Sequence, residues 1–254
     1  MSPRAAPAPT TVLVVGATSA IAAAVARRFA ADGARLVVTG RDVAKLATVA
    51  ASLRAAGAAD VVPRVVDVTT PARDDVVARA VAELGHIDVA LLAHGVLPDQ
   101  AACDADAAAL IDAFDVNAVS VMALLVPLAA HMASRGGGTI AVVTSVAGQR
   151  GRRENYVYGA AKAALSTYLQ GLRSRLHAEG VAVVDIRPGP VRTPMTAHKA
   201  GGWWFIDADR AGRLVHGAIR RRRDIAYVPW WWGPVVALVR LVPEGIFKRT
   251  NLRA

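Results

Sequence analysis

Seven short apolar runs, each separated from the next by a stretch of helical periodicity, constrain this chain more than any other feature. The runs are rich in Val, Leu and Ile with little polar alternation, which is typical of parallel strands buried on both faces. Their alternation with helices predicts a doubly wound parallel sheet covered by helices on both sides. We predict strands at 11–15, 35–39, 61–66, 88–93, 139–145, 181–187 and 224–228, and helices near 20–31, 43–56, 72–84, 106–133, 157–179 and 207–222.

The chain length of 254 residues fits a single domain of this α/β type, which we place at residues 11–228. The Ala/Pro-rich residues 1–10 are predicted to be a disordered tail, and residues 229–254 an apolar and basic extension. Cys103 is the only cysteine, so no internal disulfide can form and a reducing compartment is expected. No signal-peptide pattern precedes the first strand, and we therefore expect a cytoplasmic protein.

The first strand is followed by a glycine-containing turn and a helix, in the string VVGATSAIAAAVARRF. Dinucleotide-binding turns need glycine where the backbone approaches phosphate, and the helix N-terminus offers free N–H groups. Gly16 satisfies the first requirement, while Thr18 and Ser19 offer hydroxyls for helix capping or phosphate contact. This arrangement favours a Rossmann-type nucleotide site, although one glycine in such a turn is equally common in a plain tight connection.

The end of the second strand, Gly40-Arg41-Asp42, bears on the choice of nicotinamide cofactor. An acid at this position accepts hydrogen bonds from the adenosine ribose, whereas an arginine suits a 2′-phosphate. Glycine at the tip with Arg41 next favours NADPH over NADH, and Asp42 leaves NADH open unless it caps the following helix. After the third and fourth strands, Asp67 and Val68 are placed for the adenine, and Gly95 for close passage of the backbone.

The string TSVAGQRGRRENYVYGAAKAAL carries the clearest chemical signal. Ser145 ends the fifth strand, and Tyr158 and Lys162 are four residues apart on one face of a helix. Carbonyl reduction requires an acid that protonates the developing alkoxide, and a tyrosine can serve if a nearby cation stabilises its phenolate. Ser145 can hold the carbonyl oxygen, so the set predicts a reductase. Tyr156 lies off this face and is interpreted as a wall of the pocket.

These motifs, with Asn117 in FDVNAVSV, the AHG at 93–95 and RPGPVRT at 187–193, resemble the short-chain dehydrogenase/reductase family over nearly the whole chain. The resemblance implies that Ser145 orients the carbonyl, Tyr158 is the acid/base, Lys162 lowers the pKa of Tyr158 and holds the ribose, and Asn117 supports a proton-relay water. Departures from the family pattern are Ala20 and Ala22 in place of two glycines and His94 within the usual Asn-Ala-Gly stretch. The implied cofactor contacts are Gly16, Thr18, Ser19, Ile21, Arg41, Asp67, Val68, Ala93, Gly95, Lys162, Pro188, Gly189, Val191 and Thr193.

Within that family, the strings GQRGRRENYVYGAAKAAL, IRPGPVRTPMTAH and RLVPEGIFKR resemble reductases of decaprenylphosphoryl-linked 2-keto-pentoses. This resemblance implies a polyprenyl-phosphate-linked keto-sugar as substrate, a role in arabinan synthesis for the cell wall, and an FAD-dependent oxidase that supplies the ketone. Two alternatives remain: a reductase of soluble or lipid-like ketones, and a redox-inactive protein that senses a nucleotide.

The last part of the chain combines tryptophan with positive charge. All five tryptophans lie at 203–204 and 230–232, and from residue 210 onward ten basic residues face two acidic ones. Interfacial membrane anchors combine Trp with Lys and Arg in this way. The uncharged run at 228–239 is too short to span a bilayer, which takes about 20 residues. We therefore expect peripheral attachment to an anionic inner membrane surface, or else a substrate lid or a contact in a homo-oligomer.

Three arginines, Arg150, Arg152 and Arg153, lie between Ser145 and Tyr158. An arginine pair there can bind the phosphate of the substrate through two parallel hydrogen bonds, and an exposed charged loop is an equal alternative. Nucleic acid is not expected as a partner, because no recognition motif accompanies the basic residues. No metal site is expected either.

Overall fold

Seven parallel strands form the central sheet of the computed structural model, which describes residues 9–197 and 201–250. These strands are β1 (Thr11–Val15), β2 (Arg35–Gly40), β3 (Asp60–Val65), β4 (Val89–Leu92), β5 (Gly138–Val143), β6 (Val181–Pro188) and β9 (Ile225–Val228). A separate two-stranded parallel ladder contains β7 (Val191–Arg192) and β8 (Ile206–Asp207). The predicted seven-stranded, doubly wound α/β fold is confirmed.

The strand order is β3-β2-β1-β4-β5-β6-β9. Strand β1 is hydrogen-bonded to β2 on one side and to β4 on the other, so the order of the connections reverses between β1 and β4. All five residues of β1 are buried, as expected for the central strand of a sheet covered on both faces. A reversal of this kind opens a crevice beyond the carboxyl ends of the strands, where such folds bind their ligands.

The helices lie on both faces of the sheet, and a continuous helical stretch from Ala107 to Ser134 contains a π-helical turn at Asp115–Val119. The α-helices are α1 (Ala20–Ala31), α2 (Val43–Ala55), α3 (Val76–Leu84), α4 (Gln100–Ala105), α5 (Ala107–Phe114), α6 (Ser120–Ser134), α7 (Tyr156–Leu176), α8 (Ala208–Arg220), α9 (Trp232–Leu241) and α10 (Glu244–Phe247). Short 3₁₀ helices occupy Pro71–Asp75, Val146–Gln149 and Pro194–Thr196.

Two clusters of buried side chains fill the space between the sheet and the helices, one on each face. One cluster contains Leu125 and Leu128 of α6 with Leu165 of α7, and the other contains Val25 of α1 with Val215 of α8. The Ala107–Ser134 stretch is long and apolar enough to cross a membrane by length and composition alone. Because Leu124, Leu125 and Leu128 of this stretch are buried in the first cluster, we interpret it as a core helix.

The C-terminal extension folds back onto the carboxyl edge of the sheet. Trp232 and Val236 of α9 are buried against Val146, directly after Ser145. Helix α9 has ten residues, about half of what a bilayer-spanning helix needs. Residues 1–8 of the predicted N-terminal tail lie outside the described residues.

Candidate active site

A cavity of about 380 Å³ lies beyond the carboxyl ends of β1, β4, β5 and β6. Every residue predicted to contact the cofactor lines it, from Gly16 to Thr193, together with Ser145, Tyr158 and Lys162. The structure therefore brings together residues that are up to 177 positions apart in the chain. The strand-to-helix alternation explains this, because the fold carries the end of each parallel strand to the same edge.

The turn after β1 has the shape that a phosphate group requires. Gly16 has φ +79°, and a Cβ atom there would lie 2.6 Å from the backbone nitrogen of His94. Ser19 precedes α1, and among the described residues its side chain makes no capping bond, so its hydroxyl is left for a ligand. With the positive end of α1 beside it, this turn fits the diphosphate of a dinucleotide.

The end of β2 separates the roles of Arg41 and Asp42. Arg41 lines the cavity, while the Asp42 carboxylate accepts a hydrogen bond from the Lys45 amide at 2.9 Å and caps α2. That bond lowers the pKa of Asp42, so the ionised carboxylate is engaged in capping α2. Arg41 is the group placed for a 2′-phosphate.

Asp67 is held at the cavity wall by its neighbour Thr69. Both the amide and the hydroxyl of Thr69 donate to the Asp67 carboxylate, at 3.0 and 2.7 Å, and these bonds lower its pKa. Val68 follows as a buried apolar wall. An ionised carboxylate beside an apolar face suits an adenine ring, which offers an amino edge and a flat surface.

Asn117 lies in the π-helical turn between α5 and α6, fully buried. Its amide donates to Ala113 O at 2.8 Å, and its carbonyl oxygen accepts from the Val96 amide at 3.1 Å. A Cβ atom on Gly95 would lie 2.7 Å from that oxygen, so glycine is needed there. Asn117 does not line the cavity; it lies behind Gly95. Single π turns often occur at functional sites, and no sequence pattern predicted this one.

Tyr158 and Lys162 share one face of α7, as their spacing predicts. The Lys162 Nζ lies 5.7 Å from the centroid of the Tyr158 ring and donates to Val143 O at 3.2 Å. Ser145 lies two residues after the end of β5, where it caps the 3₁₀ helix Val146–Gln149 and accepts from the Ala147 amide at 3.1 Å, which fixes its side chain. Tyr158 is hydrogen-bonded to Ser145. These three groups converge where a carbonyl oxygen would be protonated.

The electrostatics of this pair differ from the family-based expectation. Burial raises the pKa of Tyr158 to about 12, and the hydrogen bond with Ser145 only partly opposes that shift. Burial lowers the pKa of Lys162, the Asp185 carboxylate partly opposes this shift, and the resulting pKa is about 8. In this structure burial therefore raises the Tyr158 pKa, the direction opposite to the lowering that the resemblance implies for Lys162. Tyr158 stays protonated at neutral pH, as a proton donor must.

A buried ion pair that the sequence did not reveal lies below Lys162. Asp185 accepts from Arg187 Nη2 at 2.7 Å and Nε at 2.8 Å, and from the Thr144 hydroxyl at 2.5 Å. Arg187 also donates to Tyr227 Oη at 3.0 Å. Asp185 and Arg187 alternate with apolar residues in β6, so a buried strand carries two charges. Such charges are costly to bury unless paired.

His94, the departure within the Asn-Ala-Gly stretch of the family, lines the cavity. Its Nε2 lies 3.1 Å from the Ser120 hydroxyl, which in turn donates to Val116 O at 2.9 Å. Burial, aided by the positive charges of Lys162 and Arg41, lowers the pKa of His94 to about 3. His94 is thus a neutral ring that positions the loop beneath the cofactor.

The three loop arginines do not act together as predicted. Arg150 donates to the carbonyls of Val239 and Val242, both at 2.6 Å, and to the Glu244 carboxylate at 3.0 Å. These contacts bind it to the end of α9 and away from the cavity, so its predicted role as a phosphate ligand is wrong. Arg152 lines the cavity, and Arg153 lines a neighbouring one. Tyr156, predicted as a pocket wall, is exposed and donates to Asp104 instead.

The C-terminal extension forms part of the wall behind the site. A Cβ atom on Gly189 would collide with Trp232 Nε1, so the indole packs directly on this cavity-lining glycine. Trp232 Nε1 is buried and finds no acceptor among the described residues. Helix α9 therefore supports both the Gly189 turn and the segment that follows Ser145.

Comparison with known proteins identifies the class. The model of the short chain dehydrogenase family matches residues 10–201, and the chain belongs to that family. It is an NAD(P)H-dependent oxidoreductase, as the sequence predicts. An uncharacterized oxidoreductase of Mycobacterium tuberculosis, Rv2073c, is 38% identical over 94% of this chain and 96% of its own length. An uncharacterized oxidoreductase of Streptomyces coelicolor is 33% identical over 95% and 96%.

Solved structures agree with the fold and the cofactor. A variant of actinorhodin polyketide ketoreductase with NADPH superposes with a TM-score of 0.75 at 25% identity, covering 83% of this chain and 90% of that one. Levodione reductase gives a TM-score of 0.79 at 22% identity, covering 86% and 94%, and supports the fold alone.

The residues present fit a nicotinamide cofactor, since the Gly16 turn leaves backbone space at the start of α1 and Lys162 lines the same cavity as Tyr158. When bound, NAD(P)H supplies the hydride. Gly16, Thr18 and Ser19 would hold its diphosphate, Asp67 and Val68 its adenine, and Lys162 its ribose.

Proposed function

We propose that this chain uses NADPH to reduce the 2-keto group of a pentose linked to polyprenyl phosphate, giving the arabinose configuration for cell-wall arabinan precursors. The observation that carries the proposal is a complete Ser145, Tyr158 and Lys162 set in a cavity beside an exposed apolar and basic C-terminal face. The first feature supports carbonyl reduction, and the second supports a substrate that resides in a membrane.

The residues of the chain have separate tasks in this reaction. Ser145 donates a hydrogen bond to the carbonyl oxygen and polarises it. The Tyr158 hydroxyl gives its proton to the same oxygen as negative charge develops there. Lys162, while charged, stabilises the resulting phenolate. Asn117 stabilises the Gly95 backbone at the cavity floor through its bond to the Val96 amide.

The preference for NADPH rests on the end of β2. Arg41 lines the cavity there, and Asp42 is engaged in the cap of α2. A 2′-phosphate would gain a charge-assisted contact with Arg41, whereas the ribose hydroxyls of NADH find no carboxylate from Asp42.

The membrane part of the proposal rests on exposed apolar side chains. Trp203 is 84% exposed, Trp230 71%, Leu238 67% and Leu241 78%. The basic residues Arg240, Lys248 and Arg249 are exposed in the same C-terminal segment. Tryptophan and leucine gain from the headgroup and acyl boundary, and the cations gain from anionic lipid. We propose that the enzyme binds the inner face of the cell membrane in this way, next to an FAD-dependent oxidase that supplies the ketone.

The test of the chemistry is Tyr158→Phe. We expect turnover of a polyprenyl-phosphate-linked 2-keto-pentose to fall by about 100-fold to 10,000-fold, because the proton donor is lost. NADPH binding, followed by fluorescence titration, should stay unchanged. Tyr156→Phe is the matched control, since that hydroxyl contacts Asp104 outside the cavity and its loss should leave the rate unaffected. Retained activity in Tyr158→Phe would remove this residue from the mechanism.

A second candidate is a reductase of soluble or lipid-like ketones in which the C-terminal segment closes the substrate pocket or joins two copies of the chain. The packing of Trp232 on Gly189 and Val146 favours this candidate. A panel of soluble ketones assayed beside the lipid-linked keto-pentose separates the two. Turnover of the soluble panel alone would establish the second candidate and refute the first.

A further inference from the structure

A second cavity, of about 240 Å³, lies between the loop after Ser145 and the end of the chain. Loop residues 151–154 line one side and residues 244–250 contribute to the other. Arg152 lines both this cavity and the catalytic one, so the two adjoin at its side chain. For this reason we call the second one the Arg152 cavity.

The Arg152 cavity is basic. Its cations are Arg152, Arg153 and Lys248, and its carboxylates are Glu154 and Glu244. Glu244 already accepts from Arg150 at 3.0 Å, so part of its negative charge is balanced from outside the cavity. The remaining lining favours an anion.

Arg152 is the cation for which a bound anion matters most. Burial lowers its pKa, and the Glu154 charge only partly opposes this. A guanidinium that has lost hydration gains more from a phosphate than an exposed one does, because the local dielectric constant is lower. Its planar fork also matches two phosphate oxygens.

Apolar residues lie near the Arg152 cavity in addition to its cations. Phe247 lines it, Ile246 beside Phe247 in the chain is exposed, and Leu241 at the end of α9 is exposed as well. From the catalytic Tyr158 outward, the chain therefore presents a proton donor, then a cluster of cations, then an apolar surface. A lipid-linked sugar has its groups in the same order: keto-sugar, phosphodiester, hydrocarbon.

We infer that the Arg152 cavity binds the phosphodiester that joins the keto-sugar to its lipid, through Arg152, Arg153 and Lys248. The identity of this ligand rests on the proposed function, whereas the cavity's affinity for a phosphate group does not. Lys248 thereby takes the place expected of Arg150, which holds the helix end instead.

The experiment compares Arg152→Gln, Arg153→Gln, Lys248→Gln and the triple variant with Arg220→Gln, an exposed cation outside both cavities. The substrates are a short-chain prenyl-phosphate-linked keto-pentose and the same keto-sugar without the phosphate. A charge-assisted contact contributes about 1.5–3 kcal/mol, so KM for the phosphodiester should rise about tenfold or more in Arg152→Gln. In Arg153→Gln and Lys248→Gln, whose side chains line the Arg152 cavity and not the catalytic one, kcat and KM for the phosphate-free sugar should stay near wild type.

An unchanged KM for the phosphodiester in the triple variant would overturn the inference and leave the proposed function intact. If the wild type reduces only phosphate-free ketones, the proposed function fails, and calorimetry at saturating NADPH then tests the cavity alone. Inorganic phosphate and geranyl monophosphate are the probes. Binding to the wild type that is lost in the triple variant supports the site. Whichever of the two probes binds more tightly shows whether the cavity prefers a lipid phosphate or free phosphate. No binding of either probe to the wild type overturns it.

Discussion

Asp185 influences the charge of Lys162 electrostatically, since no hydrogen bond joins the two side chains among the described residues. Its carboxylate, 1% exposed, raises the pKa of Lys162 against the lowering caused by burial. Of the other charged or titratable groups around Lys162, Arg187 is paired with Asp185 and His94 is neutral. Asp185 is therefore a positioning residue whose charge helps keep Lys162 protonated.

Reduction by the wild-type enzyme should weaken as pH rises through about 8, because Lys162 then loses its proton and no longer stabilises the Tyr158 phenolate. Asp185→Asn removes the charge that raises the Lys162 pKa, so this alkaline limb should move to lower pH. A profile of kcat/KM against pH measures the shift. The control is Asp224→Asn, an exposed carboxylate paired with Arg173. A loss of stability without movement of the limb would show that Asp185 is only structural.

The lowered pKa of His94 leads to a separate prediction about the free energy of unfolding at acidic pH. Its pKa is lowered to about 3 in the folded chain, against 6.5 when unfolded, so the unfolded state takes up its proton first. The stabilisation is complete above pH 6.5 and is lost progressively as pH falls towards 3, by about 1.4 kcal/mol per pH unit. Urea unfolding of His94→Asn should show a smaller decline between pH 6.5 and 4.5.

Two other histidines, His131 and His216, also have lowered pKa values and titrate in both proteins. The difference between wild type and His94→Asn therefore isolates the contribution of His94. Parallel curves for the two proteins would contradict the assignment.

At the scale of elements, α9 depends on a residue from the catalytic loop. Arg150, with its side chain 14% exposed, caps the end of α9 by donating to carbonyl groups and lies 3.9 Å from the centre of the Phe247 ring. Hydrogen bonds from a charged donor contribute about 1.5–3 kcal/mol each, so Arg150→Met should cost at least about 2 kcal/mol of unfolding free energy.

Arg153→Met is the matched control and should cost less than about 0.5 kcal/mol, since surface substitutions seldom exceed this value. Arg150→Lys should recover little, because a single ammonium cannot span the same acceptors. Chemical denaturation measures the stability, and hydrogen exchange should show earlier opening of α9. Equal stability of the two Met variants would refute the capping role.

The strands and the main helices could be predicted from sequence because each is coded locally, by a continuous apolar run or by helical spacing. The convergence of Ser145, Tyr158 and Lys162 followed from the topology of parallel strands. The direction in which Arg150 points could not be predicted, because it depends on a helix end that lies about 90 residues further along. The Asp185–Arg187 pair was hidden for a similar reason: a strand pattern shows where residues lie and not which charges neutralise one another.

At the scale of the whole molecule, the catalytic cavity and the exposed apolar face of α9 lie at one edge of the sheet. The cavity opens at the carboxyl ends of the strands, and α9 packs there through Trp232 while its Leu238 and Leu241 remain exposed. A chain held at a membrane by that face would present its active site to the same surface. Under the proposed function, this arrangement would shorten the path from a lipid-linked ketone to Tyr158.

Binding to anionic vesicles tests this arrangement. The variant Leu238→Glu/Leu241→Glu should reduce flotation with phosphatidylglycerol vesicles at least about tenfold, because it removes apolar insertion and adds repulsion from the lipid charge. Val43→Glu is the control, since Val43 is 64% exposed on α2. Wild-type binding should also weaken as salt rises from about 0.1 to 1 M, because the electrostatic screening length then falls from about 10 to 3 Å. If wild type and the double variant float equally poorly, the exposed face of α9 does not bind membrane, and a contact between copies of the chain becomes the better explanation of its leucines.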